Sequence, residues 1–527
     1  MNIEDRKKQS STKLTVGLTV VKYCGKAYLP FLQRRYRHRK NLPSVENPLL
    51  LLSATDLANA IRSREISSVV VVQAYIDRIR AVNPILNAVI EDRFDAALDD
   101  ALKADKLCNE LSVDELREKY PLLGVPFTVK ESVGVEGMSQ HVGVVARKGM
   151  KCEKEGPLMR NLRQAGAIPL CVTNIPEWCC NWETHNVIQG RTFNPYNTSY
   201  TPGGSSGGEA ALLGAAASLF GVGTDFMGSI RLPAMFCGVF GHRPTRPLVS
   251  LEKSVPDWPD PTIQKIMATG PMCRYAKDLP LLLKIMIGEN VELAKLDEVV
   301  DLKSVKILMP TTFANSIEDT PVDKEIVEKL NLAAEELKKL GCKVERIEID
   351  YNGLFERLLS KYLSADLKEV IDNMTDIPKR DGCNLPFLRE YLKWGMGKST
   401  HNIYAIHAQL LIRFNRYYPT HQNVPLIDAF EKQMKNILQN DSVLLFPTFP
   451  TAAFKHHGFV KSIPAMVYIL LASVFNLPAT SIPMGLNKEQ MPIGIQVIGG
   501  PFQDRLCLSV AQFLETKFGG WVPPPSE

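Results

Sequence analysis

No C-x-x-C pair occurs in the 527 residues, although the chain has eleven cysteines. That absence excludes the paired spacing of a structural zinc site. The cysteines are odd in number and scattered, apart from adjacent Cys179 and Cys180. They are read as free thiols of a reducing compartment. A G-x-x-x-x-G-K-[ST] phosphate loop is also missing. So are internal repeats and low-complexity tracts. The body lacks a basic excess. Net charge is +5, but the first forty residues hold eleven Lys and Arg against Glu4 and Asp5, which leaves the rest at −4. Charge therefore gives no support to a nucleic-acid partner. Nor is there an unbroken apolar run. Leu14 to Leu32 has nearly the length of a membrane span, but Lys22, Lys26 and Pro30 interrupt it. No A-x-A cleavage site follows, which argues against a cleaved signal peptide.

What is present is a globular composition, 45% hydrophobic and 23% charged. The N-terminal arm, residues 1–45, joins that apolar run to the cluster RRYRHRK at Arg34 to Lys40. Such a segment (residues 12–40) suits a membrane surface, as a short anchor or as an interfacial helix with basic residues at anionic headgroups. A basic flexible tail is the plainer alternative. Residues 46–527 read as one large α/β domain. Helical periodicity covers Thr55 to Arg64 and Ser67 to Val82, with Ser67 as N-cap and Pro84 as terminator. Further helices are expected over Arg93 to Leu107, Pro157 to Gln164 and Pro321 to Leu340, the last stopped by Gly341. Strands are expected over Asn87 to Glu91, Leu122 to Lys130, Ala167 to Val172, Val305 to Met309, Lys343 to Ile349, Val443 to Phe446 and Gly494 to Ile498. Residues 352–438 read as mostly helical. They cluster large apolar side chains such as Leu354, Phe355, Leu358, Leu359, Tyr362, Phe387, Tyr391, Leu392 and Trp394, as core or as the wall of an acyl-chain site.

Two features carry chemistry. Lys130 ends an apolar strand, where desolvation would lower its pKa and make it a base. Alternatively it reaches solvent, or pairs with Glu131. The second feature is Thr201 to Arg231, TPGGSSGGEAALLGAAASLFGVGTDFMGSIR. It carries two glycine-framed serine sites, Ser205-Ser206 and Ser229, joined by a small-residue helix expected over Glu209 to Leu219. GGSSG formally matches the G-x-S-x-G elbow, but the preceding FNPYNTSYTP reads as loop, where that elbow needs a strand. In the second site Thr224 and Asp225 can hold a turn by local hydrogen bonds. Successive N–H groups of such a turn can face a developing negative oxygen.

Lys130, GGSSGG at Gly203 to Gly208 and GTDFMGSIR at Gly223 to Arg231 together resemble the amidase signature family. The separations of 75 and 24 residues fit its pattern. So do GHRPT at 241–245, GPMCR at 270–274, FPTFP at 446–450 and IPMGLNKEQMPIGIQVIGGPFQD at 482–504. The basic arm, Gly241-His242 and KFGGW at 517–521 are similar to the fatty-acid amide hydrolase branch. The resemblance implies a large twisted mixed β-sheet enclosed by α-helices. It implies a Ser–Ser–Lys triad, with Ser229 as nucleophile, Ser205 as bridge after a cis peptide bond, and Lys130 as base. Backbone N–H groups of Phe226, Met227, Gly228 and Ser229 would hold the oxyanion. Gly204, Ser206, Thr224, Asp225 and Arg231 would support the turns. The implied reaction is hydrolysis of a fatty-acid amide to fatty acid and amine through an acyl-enzyme, with no cofactor and no metal. A homodimer is compatible with the sequence.

The chain departs from the family in places. Met227 stands where the family has glycine, a strained substitution if that position needs positive φ. Arg246 replaces a glycine, and VFNLPATSIP at 474–483 is short by a few residues. Three other readings therefore stand beside the first. One is a general amidase, or part of an amidotransferase, working on soluble amides. Another is a catalytically impaired lipid-amide binding protein. The third is a Ser-His-Asp hydrolase that uses one of the nine histidines.

Overall fold

The structure is a computed structural model. It describes residues 40–257, 261–313, 321–349, 385–406, 424–439 and 441–526, with Gln33, Tyr36, Leu354 and Leu358. Eleven strands form one mixed sheet. They are β1 (Val89–Asp92), β2 (Pro126–Lys130), β3 (Ile168–Thr173), β4 (Phe220–Asp225), β5 (Phe240–Arg243), β6 (Ala268–Cys273), β7 (Lys306–Pro310), β8 (Lys343–Ile347), β9 (Ser442–Pro447), β10 (Ala479–Leu486) and β11 (Pro492–Gly499). Their order across the sheet is β1-β3-β2-β4-β6-β5-β10-β11-β9-β7-β8. Strands β3, β2 and β4 run parallel, as do β9, β7 and β8, and the central pairs are antiparallel. This is the expected α/β architecture, with helices flanking the sheet.

Every residue of β2, β3, β4, β6 and β11 is buried. These strands are continuous apolar runs rather than alternating ones, as a sheet covered on both faces requires. Phe127 on β2 stacks on Phe220 of β4 at 4.9 Å between ring centroids. Polar side chains on such strands must find partners inside the protein, and on β2 these are Thr128 and Lys130.

Two expected helices are corrected. The one placed over Ser67 to Val82 runs Ser68–Leu86, with Pro84 inside its last turn. Ser67 caps it as expected, accepting from the Val70 N–H. Proline costs one N–H there, and Asn87, at φ 50°, ends the helix by donating its N–H to the Asn83 carbonyl at 2.8 Å. The small-residue helix spans Gly207–Gly214, not Glu209 to Leu219. Ala216 takes φ 56°. The N–H groups of Ala216 and Ala217 bond back to Leu213 and Leu212, a Schellman closure made without glycine. Gly341 ends Lys324–Leu340 at φ 114°, as the sequence implies.

Of residues 352–438, the helices Leu385–Gly395 and Val424–Ile437 are described. Tyr391 and Trp394 pack on Ile406, and Leu354 and Leu358 are buried. Phe355, Leu359, Tyr362 and the Phe387 side chain lie outside the described residues. So does most of 12–40, the stretch expected at a membrane surface. Among the described residues no helix is long and apolar enough to cross a membrane. Gln33 Nε2 donates to the His456 carbonyl at 3.0 Å. Tyr36 lies over the Arg191 guanidinium at 5.1 Å and against His456 at 5.0 Å.

That contact lands on the loop that will matter below. Arg191 pairs with Glu183 at 2.6 Å. Glu183 also accepts the N–H groups of His457 at 2.8 Å and Phe459 at 3.1 Å. Burial, then the Arg191 charge, holds both His185 and His457 down to about 3. Both imidazoles are thus neutral when folded. The unfolded chain binds more protons between that value and an ordinary histidine pKa of about 6.5, so stability falls as pH drops through this window. The urea midpoint should fall between about pH 7.5 and about pH 5, and His185→Gln should flatten part of that slope.

Candidate active site

Alternation along β2 puts Thr128 and Lys130 on one face. Thr128 Oγ1 donates to Glu209 Oε2 at 2.6 Å, and Thr173 Oγ1 on β3 donates to Glu209 Oε1 at 2.7 Å. Burial pushes the Glu209 carboxyl up to about 8, against the pull of those hydroxyls and of Lys130. Lys130 has no exposed surface. Its Nζ lies 2.6 Å from Ser205 Oγ and 2.7 Å from Thr224 Oγ1, and contacts the Thr224 carbonyl at 3.4 Å. Burial lowers its pKa, while Cys179, Asp225, Glu209 and Cys180 pull it back up. Both thiols are themselves pushed up by burial, Cys180 to about 12. All nine cysteines among the described residues are unpaired.

Two alternatives for Lys130 are thereby corrected. It does not reach solvent, and it does not pair with Glu131. The Glu131 carboxylate instead takes Ser139 Oγ at 2.9 Å and the N–H groups of His141 at 2.6 Å and Val142 at 2.9 Å.

The serine loop Gly203–Ser206 follows turns and irregular backbone, so the strand–elbow arrangement is absent. The Gly204–Ser205 peptide bond is cis, as the resemblance implies. Gly204 abuts Asn181, whose carbonyl oxygen would lie 2.4 Å from a Cβ there. The second loop leaves β4 at Asp225 and turns through Phe226, Met227, Gly228 and Ser229 into the helix Arg231–Phe236. The two loops meet where the Ser206 N–H donates to the Ser229 carbonyl at 3.2 Å. Ser205 and Ser229 are 1% and 6% exposed. No hydrogen bond joins their hydroxyls among the described residues.

Asp225 organises this turn. Its carboxylate accepts from the Gly228 N–H at 2.9 Å, the Ile230 N–H at 3.2 Å, and Arg231 Nε and Nη2 at 3.1 and 3.2 Å. Arg243 Nη1 lies 3.7 Å away and donates to the Asp225 carbonyl at 2.7 Å. Burial works against the charge, but Arg231 and Arg243 win and hold Asp225 at about 2. Arg231 reaches on to Gln496 Oε1 at 2.9 Å and Ser473 Oγ at 2.8 Å.

This geometry answers the question of Met227. Positive φ falls on Gly228, at 80°, and not on Met227. A Cβ on Gly228 would also lie 2.1 Å from Ile469 Cγ2. Glycine is therefore required at 228, and methionine at 227 bears no positive-φ strain. The reading of Gly228 as an N–H donor to substrate is corrected as well, because that N–H is committed to Asp225. The N–H groups of Met227 and Ser229 make no hydrogen bond among the described residues.

The Amidase family model matches residues 70–508. The chain belongs to the amidase family. Fatty-acid amide hydrolase 2-B of Danio rerio is 40% identical over 495 residues, 92% of this chain and 93% of that protein. Fatty-acid amide hydrolase 2 of Homo sapiens is 38% identical over 488 residues, 91% of each. Among solved structures, a fatty acid amide hydrolase superposes with a TM-score of 0.68 at 23% identity. The match covers 90% of this chain and 86% of that one, and it shows the shared fold. The protein is accordingly an amidohydrolase of α/β amidase fold.

Several residues of this amidase site escaped the sequence. Glu209, Gln496 and Arg243 lay inside recognised motifs without a role. Trp182, whose indole N–H donates to the Met227 carbonyl at 3.0 Å, gave no signal at all. Gly228→Ala is expected to lower stability by about 2 kcal/mol or more, from positive φ plus overpacking. In a double-mutant cycle with Ile469→Ala, whose own cavity cost is measured separately, the packing share of that loss should disappear and the backbone share remain. Urea denaturation of the single and double variants measures both.

Proposed function

We propose that this amidase hydrolyses fatty-acid amides to fatty acid and amine by a Ser–Ser–Lys relay. The observation that carries the reading is Lys130, fully buried, with lowered pKa, and 2.6 Å from Ser205 Oγ. A neutral amine there accepts the Ser205 proton as Ser205 takes one from Ser229 Oγ. Ser229 Oγ bonds to the amide carbon, and the carbonyl π pair moves to oxygen. The Met227 and Ser229 N–H groups then stabilise that oxyanion. On collapse the C–N bond breaks, Ser205 protonates the leaving nitrogen, and Lys130 returns its proton to Ser205. Water then attacks the ester through the same relay and releases the acid.

Identity of 38–40% to fatty-acid amide hydrolase 2 proteins supports a fatty acyl substrate. So do the half-buried apolar side chains of Phe226 and Met227 beside Ser229. Residues 1–45 are proposed as a membrane-associating arm ahead of the catalytic domain, 46–527, which suits substrates that partition into lipid. The impaired-protein reading loses its motive, since Met227 bears no positive φ.

A fluorophosphonate probe should label the protein, and Ser229→Ala should abolish labelling and lower kcat by about 10³-fold or more. Turnover of a long-chain primary amide should exceed that of acetamide by at least about tenfold in kcat/KM. Equal rates would favour the soluble-amide reading. The base works only when unprotonated, so kcat/KM should rise with pH through the lowered Lys130 pKa. It should level off below the ordinary lysine value of about 10.4. Lys130→Met should remove that limb together with most of the activity.

A further inference from the structure

The peptide group between Met227 and Gly228 is held at both ends by side chains, one from its own turn and one from 45 residues away. Its N–H donates to Asp225 Oδ1 at 2.9 Å, and its carbonyl accepts from Trp182 Nε1 at 3.0 Å. A peptide is planar, so fixing both ends fixes the plane. The peptide groups on either side of this plane carry the two unpaired N–H groups, those of Met227 and Ser229.

This peptide is also the one in the turn free to flip. A flip rotates ψ of Met227 and φ of Gly228, and glycine accepts either sign of φ where other residues resist. After a flip the Gly228 N–H would leave Asp225, and the Met227 carbonyl would point away from Trp182. A rotation in which ψ of Met227 and φ of Gly228 fully compensate leaves the neighbouring planes in place, but any uncompensated part tilts the backbone on both sides and re-aims the Met227 and Ser229 N–H groups. Asp225 cannot prevent this alone, because its oxygens retain Arg231 and the Ile230 N–H.

Trp182 is itself closely packed. It is 3% exposed, and its ring meets Phe449 and Phe459 edge-on at 5.7 and 5.8 Å. The preceding residue, Asn181, abuts Gly204 of the serine loop. The following residue, Glu183, is tied to Arg191 and to the N–H groups of His457 and Phe459. One short segment therefore braces the backbone beside both serines.

We propose that Trp182 is a positioning residue for the amidase reaction, its indole N–H locking the Met227–Gly228 peptide so that the Met227 and Ser229 N–H groups face the oxyanion. It rests on the function proposed above. Losing one oxyanion donor outright costs about 10²–10³-fold in turnover. Loosening two without removing them should cost about 10–100-fold in kcat, with KM within about twofold, because the interaction belongs to the transition state.

The test uses the full-length protein with three replacements. Trp182→Phe removes the donor and part of the ring. Site-specific 3-benzothienylalanine at position 182 keeps the ring's shape and removes only the N–H, which covers the case in which Trp182→Phe does not fold. Phe459→Leu loosens the aromatic packing and keeps the indole donor. The expected result is a kcat loss of about 10–100-fold in the benzothienyl protein, with KM unchanged and with fluorophosphonate labelling slowed by a similar factor. Phe459→Leu, which keeps the indole donor, should lose less kcat than the benzothienyl protein. Wild-type kcat in the benzothienyl protein, or a loss no larger than that of Phe459→Leu, or a loss carried by KM, would overturn the proposal while leaving the hydrolase reading intact. A wild-type protein with neither turnover nor Ser229-dependent labelling would overturn the hydrolase reading, and this inference with it.

Discussion

The geometry of the site depends on one buried charge. Asp225 ends a fully buried strand, and its carboxylate has no exposed surface. An unpaired carboxylate there would protonate rather than bear full desolvation. Arg231 and Arg243 keep it ionised, and an ionised carboxylate can accept from several donors at once. It directs that capacity to the turn, to the N–H groups of Gly228 and Ile230. The arginines then tie the turn to the rest of the sheet. Arg231 reaches Gln496 on β11 and Ser473 on the helix Met466–Val474. Gln496 in turn donates to the carbonyls of Pro447 on β9 and Tyr468. Elements far apart in sequence are thus fixed to one short backbone segment.

The groups near that charge shift the other way. Burial pushes Glu209 up to about 8, raises the Cys179 thiol, takes Cys180 up to about 12 and lowers the Lys130 pKa. The contrast with Asp225 comes from partners. Asp225 has two guanidinium groups beside it, whereas Glu209 meets threonine hydroxyls and Lys130, whose own charged form burial disfavours. A single buried region therefore holds one firm anion and one weakened base, about one residue apart along Thr224–Asp225.

Much of this was legible in the sequence. Apolar runs with short helices between them located seven of the eleven strands to within a few residues, because buried strands leave hydrophobic stretches, but β4, β5, β6 and β10, each with a glycine inside, were not read as strands. Gly341 marked its helix end. Glycine-framed serines and a strand-end lysine marked the site. Two kinds of feature were hidden. Local backbone choices such as the proline accommodated near Leu86 and the glycine-free closure at Ala216 depend on neighbouring side chains, not on propensity. The hydrogen bond from Trp182 to Met227 spans 45 residues and leaves no periodic trace. The position of positive φ was left open for the same reason. A pattern of residue types names the turn, but only the path of the backbone under Ile469 shows which residue must lack a Cβ.

The enclosure of Lys130 has one more consequence. Among the described residues its amine hydrogen-bonds to Ser205 and Thr224 alone, and the side chain has no exposed surface. A proton placed there has no direct exit to solvent. The route back through Ser205 leads to whatever group lies beside Ser229. In the proposed reaction that group is the departing amine in the first half and the departing Ser229 Oγ in the second. The proton would thus be borrowed and returned within each half-cycle, while the free enzyme still gains or loses it as the pH of the medium changes. In that proposal burial, which lowers the lysine's pKa, also keeps the relay's proton inside the site during turnover.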